Sequence, residues 1–170
     1  MKKILLFLLI TSALYSEGKV YMGASYGSFN ESFSDDTRKT NANPSIKVKI
    51  GYGVREAYAV EFSLDYTQVD ANSTEVNRYG LNVDLVKAFD LPYVNPFFKA
   101  GFGTGYVDTP KDRLTFGSFN LGTGIFIPLN EHSEIEIAYD YKYIAYERSD
   151  NEKEINSHVN LIYAGVNVRF

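Results

Sequence analysis

The sequence predicts an all-β protein: a closed, antiparallel, up-and-down β-barrel of eight strands that crosses a membrane. Three observations carry this. Apolar and polar residues alternate through nearly everything beyond residue 18, the connections are alternately compact and long, and the first residues read as an export signal.

The N-terminal segment comes first. Lys2 and Lys3 form a positive start, Ile4 to Leu14 an apolar run, and Ser16 and Gly18 a small-residue close. That is a secretory signal peptide, with an apolar run too short to span a bilayer as a helix. Cleavage after Ser16 or after Gly18 fits; the latter puts small residues at both key positions. The expected organisation is a signal over 1–18 and a barrel domain over 19–170.

The alternation is cleanest in the second, third and seventh strands. In 45–54, Ile46, Val48, Ile50 and Tyr52 oppose Lys47, Lys49 and Gly51. In 57–67, Tyr58, Val60, Phe62, Leu64 and Tyr66 oppose Glu61, Ser63 and Asp65. In 134–143, Ile135, Ile137, Tyr139, Tyr141 and Tyr143 oppose Glu136, Asp140 and Lys142. The first (19–29), fourth (76–88), fifth (97–107) and sixth (115–127) follow with more noise. There Arg78, Asp84 and Lys99 join the polar face. In the eighth strand, 157–170, Leu161 and Tyr163 compete with Ile162 and Ala164 for the apolar face, and a β-bulge is expected. Compact turns are expected at 55–56, 89–95 and 128–133, with long polar loops at 30–43, 68–75, 108–114 and 147–156. An even strand count places both termini on the compact-turn side.

Alternation does not say which face is wet. Tyr52, Tyr58, Tyr66, Tyr79, Tyr106 and Tyr143 close the apolar faces, as an interfacial aromatic girdle would. The polar faces carry Lys47, Lys49, Arg78, Lys99 and Lys142 against Glu61, Asp65, Asp84, Glu136 and Asp140. Such a balance is needed inside a narrow barrel, where an unpaired charge is expensive. The apolar face is therefore expected to meet lipid and the charges to form a lumen network. The last residues, Tyr163 to Phe170, resemble the β-signal read by the bacterial barrel-assembly machinery, matched at Gly165, Val168 and Phe170. With Leu91-Pro-Tyr-Val-Asn-Pro-Phe-Phe-Lys-Ala-Gly-Phe-Gly103, a turn into a glycine-rich strand, the chain resembles the small eight-stranded bacterial outer-membrane β-barrel family. That family includes the OmpA transmembrane domain, OmpX and the opacity-type surface proteins. The resemblance implies residence in the outer membrane and surface roles carried by loops.

Composition excludes several classes. There is no cysteine, hence no disulfide, thiolate metal site or lipid-anchored cysteine. A net charge of −4 without a basic cluster argues against nucleic acid. No cofactor is expected. Two histidines, His132 and His158, are the only imidazoles. Relatives that modify lipid A imply a His with Ser or Glu near the outer lipid face. Ser157 and His158 are adjacent, though, and in a strand they point to opposite sides. Gly101, Gly103 and Gly105 lie on one strand face, where they make room for long side chains, and do not form a phosphate loop. Eight strands filled by charged side chains should be plugged. The expected function is a structural or adhesin-like surface role, with Asp35, Asp36, Arg38 and Lys39 as loop candidates. A lipid A-modifying enzyme and a small-conductance channel are the rivals. Expected partners are outer-membrane lipid, the assembly machinery and a host or surface ligand. Oligomeric state is left open. Asp70-Ala-Asn72-Ser-Thr74 fits the Asn-x-Ser/Thr acceptor pattern and resembles its acidic bacterial extension, making Asn72 a candidate glycosylation site.

Overall fold

A computed structural model describes residues 18–33, 43–54, 58–71, 74–108, 113–147 and 156–170; at 69–71, 74 and 75 it describes the backbone alone. Eight strands run in chain order: β1 (Lys19–Phe33), β2 (Asn43–Gly53), β3 (Tyr58–Ala71), β4 (Thr74–Ala88), β5 (Asn95–Asp108), β6 (Arg113–Pro128), β7 (Ser133–Tyr146) and β8 (Asn156–Arg169). Each pairs antiparallel with its neighbour, and β8 closes on β1. Closure removes the unpaired edges that a membrane does not tolerate.

The registers fix the shape. Following cross-strand partners from Met22 leads through Ile50, Phe62, Val83, Phe102, Phe119, Tyr143 and His158 and returns to β1 at Ser32, ten residues above its start. A shear of ten over eight strands corresponds to a strand tilt of about 40°.

The inside–outside reading agrees with the alternation. Val48, Phe62, Leu64, Leu81, Phe102 and Ile162 are exposed on the outer wall, whereas Lys49, Glu61, Asn82, Lys99 and Asp140 are buried inside. Glycine sets the lumen's width locally. A Cβ at Gly122 would sit 2.4 Å from Asp140 Oδ1 and 2.6 Å from Lys99 Cε, and one at Gly51 would lie 2.2 Å from the Tyr21 ring. Each bulky lumen group thus faces a bare backbone on the adjacent strand.

Two expectations are corrected. β8 has no bulge: its ladders to β7 and β1 run without interruption, with Leu161 and Tyr163 buried inside and Ile162 outside. Both faces are apolar there because the upper lumen is apolar, so hydrophobicity alone could not choose between them. The second long loop is mostly strand, and the third is strand at both of its ends. β3 and β4 pair up to Ala71 with Thr74, and β5 and β6 up to Asp108 with Arg113. Polar residues there mark strand leaving the bilayer rather than the end of pairing.

Candidate functional site

The lumen is filled in layers. The floor, near the short turns, holds Phe97 stacked on Phe126 at 4.3 Å, flanked by the buried Ala59, Val86 and Ala138. Above it lies a charged belt. Lys49 Nζ bridges Glu61 at 2.9 Å and Glu136 at 2.5 Å. Asp140 Oδ2 is shared by Lys47 at 2.7 Å and Lys99 at 2.9 Å, and Lys142 pairs with Asp65. Tyrosines tie these pairs together. Lys99 donates to the Tyr163 hydroxyl at 2.8 Å, which donates to Glu136 at 3.0 Å, and Tyr21 donates to Glu61 at 3.0 Å. Phe29, Phe116, Ile144, Val159 and Leu161 form an apolar layer above the belt. Arg78 and Glu31, 3.0 Å apart, cap it, with Ser157 and Tyr146 both donating to Glu31.

All ten sequence-predicted lumen charges point inward, and the belt brings eight of them together. Arg78 lies in the upper cap. Asp84 makes no ion pair among the described residues; its Oδ1 accepts from Asn120 at 3.3 Å. Three buried charges escaped the sequence reading: Glu31, and the Glu134–Arg169 pair at 3.4 Å. Glu31 holds the lumen parity two residues beyond the predicted first strand, whereas Glu134 and Arg169 hold it at the ends of the predicted seventh and eighth strands.

This filling leaves little free space. A cavity beside Phe29, Asp65, Arg78, Lys142 and Leu161 measures ≈ 20 Å³, room for about one water.

The outer wall carries the aromatic girdle. Tyr66, Tyr79 and Tyr106 form a row with centroids 5.4 and 5.1 Å apart, and Arg113 lies 4.4 Å over Tyr106. Lys87 lies 4.7 Å over Tyr58 at the opposite end. Of the candidate β-signal positions, Gly165 faces the lumen beside Ser25, Val168 faces outward, and the Phe170 N–H donates to Val20 O at 2.9 Å.

The candidate Ser–His pair is split by the wall. Ser157 is fully buried and donates to Glu31, whereas His158 is on the outer face with Tyr141 Oη 2.6 Å from its Nδ1. The imidazole has a phenol where a hydrolytic triad would need a carboxylate. His132 lies in a short turn, its N–H bound to Asn130. Among the described residues no cluster of three metal-ligating side chains occurs. Asn72, Asp35, Asp36, Arg38 and Lys39 lie outside the described residues.

The family model for the outer membrane protein beta-barrel domain matches residues 4–170. No curated protein sequence matches the chain. Among solved structures, Neisserial surface protein A superposes with a TM-score of 0.69 at 22% identity, covering 91% of this chain and 100% of that one. Ail, the attachment invasion locus protein of Yersinia pestis, in complex with the heparin analogue sucrose octasulfate, gives 0.60 at 16% identity, covering 91% and 100%. The outer membrane enzyme PagL gives 0.50 at 10%, covering 82% and 97%. At these identities the likeness is one of fold.

Proposed function

Because the chain belongs to the outer membrane protein β-barrel domain family, and so resides in the bacterial outer membrane, we propose that it is an anchored surface-recognition protein. Its binding groups are on the long connections between strands. The observation that carries this is the filled lumen. The belt of shared ion pairs and the apolar layer above it occupy the space a pore would need, and rigidity is what a scaffold for loops requires. The apolar wall between its aromatic girdles holds the scaffold in lipid. The fold shared with Neisserial surface protein A and with Ail supports a surface role.

Residues 1–18 direct export and are removed, and Gly165, Val168 and Phe170 engage the assembly machinery. Asn72, between the paired ends of β3 and β4, is the acceptor position for a glycan where the host has the transferase.

The decisive experiment replaces residues 34–42 and 148–155 by short Gly-Ser linkers. Outer-membrane levels, read as the heat-modifiable band on an unboiled gel, should stay near the parent's. Attachment of expressing cells to host-cell monolayers should fall by about tenfold. Equal attachment at equal surface levels would refute the surface-recognition reading.

A further inference from the structure

The outer wall is not uniform around the barrel. On β2 to β5 the positions between the girdles are apolar apart from Thr104, whose hydroxyl donates to Phe116 O: Ile46, Val48, Leu64, Leu81 and Phe102 are all exposed. On β7, β8 and β1 hydrogen-bonding side chains occupy the wall. The Tyr139 hydroxyl donates to Asn160 Oδ1, and Tyr141 Oη meets His158 Nδ1. Asn30 and Ser32 lie directly across the β1–β8 seam from Asn160 and His158. A single phenol–amide pair, Tyr66 with Asn77, occurs on the other side of the girdle; here the phenols of Tyr139 and Tyr141 gather an amide and an imidazole, and the His158 ring packs between Tyr141 and Tyr143.

Depth places this cluster. From Phe170 to Asn160 along β8, a rise of about 3.3 Å per residue at a tilt of about 40° gives roughly 25 Å, the height of a barrel's apolar band. Asn160 and His158 therefore stand at the outer-leaflet boundary, with Tyr139 and Tyr141 reaching up from below. Hydrogen-bonding groups facing lipid at such a depth are costly unless something binds them.

The chemistry and the shape agree on what binds. None of these side chains is a lysine, an arginine or a carboxylate, so the cluster matches uncharged amide and hydroxyl groups. With Asn160 Oδ1 and His158 Nδ1 engaged by phenols, Asn160 Nδ2 and His158 Nε2 are the atoms left to meet a ligand. Directly below, a groove of ≈ 490 Å³ runs along Leu85, Phe98, Ala100, Leu121 and Thr123 and ends against the rings of Tyr139 and Tyr141. The same two rings thus form the head of an apolar groove and carry the hydroxyls of the polar cluster.

We propose that this face binds an outer-leaflet glycolipid built on an acylated amino sugar, whose acyl chains carry amide and hydroxyl groups at their roots. One chain lies in the groove. Its polar root meets Asn160 and His158, and the sugar rises beside Asn30 and Ser32. The site is independent of whatever the long connections recognise.

Native mass spectrometry of the chain in mild detergent tests this with two probes, a hydroxyacylated diglucosamine lipid and phosphatidylglycerol. The parent should retain the amino-sugar lipid about tenfold better than phosphatidylglycerol. Tyr139→Phe and Asn160→Leu should each lower that preference about fivefold, and Val48→Leu, on β2 outside both the groove and the cluster, should leave it unchanged. Folding is read from the unboiled gel. Should Asn160→Leu fail to fold, Tyr139→Phe, which removes one oxygen atom, decides alone. Equal retention of the two probes, or a preference unchanged in Tyr139→Phe, would overturn the proposal. So would a two-copy complex that excludes lipid.

Discussion

The middle of the lumen and the layer above it are both buried and are filled by opposite means. In the middle, Lys49 between Glu61 and Glu136, and Asp140 between Lys47 and Lys99, are held by mutual attraction with tyrosine hydroxyls as ties. Above, Phe29, Phe116, Ile144, Val159 and Leu161 simply pack. The difference teaches that a barrel interior needs no particular polarity. It needs volume filled and charge balanced, and each layer meets one of those demands. Removing a group from the belt should therefore leave a stranded charge, whereas removing one from the upper layer should leave only a hole.

The largest expected effect tests the belt. Lys49→Met leaves Glu61 and Glu136 facing each other without their shared cation and should cost about 4 kcal/mol in denaturant titrations of the lipid-embedded protein. Glu61→Gln should cost less, since Lys49 keeps Glu136 at 2.5 Å. Next comes the same height seen from outside. Phe62 is 49% exposed on the outer wall, back to back with Glu61, and Phe62→Arg should cost about 3 kcal/mol in the same titrations. If that variant matched the parent while Glu61→Gln collapsed, inside and outside would have to be exchanged. The upper layer follows: Leu161→Ala should cost about 2.5 kcal/mol, chiefly as a cavity, with no dependence on salt. A cost above that of Lys49→Met would erase the distinction between the layers. The smallest effect is at Gly117, which faces outward with nothing within 4 Å of an added Cβ; Gly117→Ala should shift stability by less than about 0.5 kcal/mol. Gly122→Ala, where the new atom would meet Asp140 and Lys99, should be clearly worse.

This contrast also explains what was legible in the sequence. Where the lumen is charged, lumen and lipid positions differ in kind, and Lys47, Lys49, Glu61, Asp65 and Glu136 read directly as inward. Where the lumen is apolar, the two faces look alike, and the parity of Leu161 and Tyr163 against Ile162 and Ala164 could not be settled by hydrophobicity. Only the uninterrupted ladders to β1 and β7 settle it. Glu31, Glu134 and Arg169 do not stand out in the sequence because they lie at strand ends, where the alternation is supported from one side only; at Glu31 pairing also runs past the predicted end of the strand. The cluster of Tyr139, Tyr141, His158 and Asn160 was invisible for another reason. Its members lie on two strands and meet through a register that alternation alone does not specify.

The ten-residue climb of each cross-strand row makes the β1–β8 seam a keyed joint. In the observed setting Tyr163 lies opposite Gly27, Gly165 opposite Ser25, and Asn167 opposite Gly23. A slip of one residue would turn the lumen groups of the slipped strand to the lipid. A slip of two would preserve the faces but change the climb, and with it the bore, while setting Tyr163 against Ser25 or Phe29 in place of bare glycine backbone. The first and last segments of the chain can thus be joined in one way only. The joint checks its own alignment as it shuts, so a misthreaded barrel would be left ajar instead of sealed in the wrong gauge.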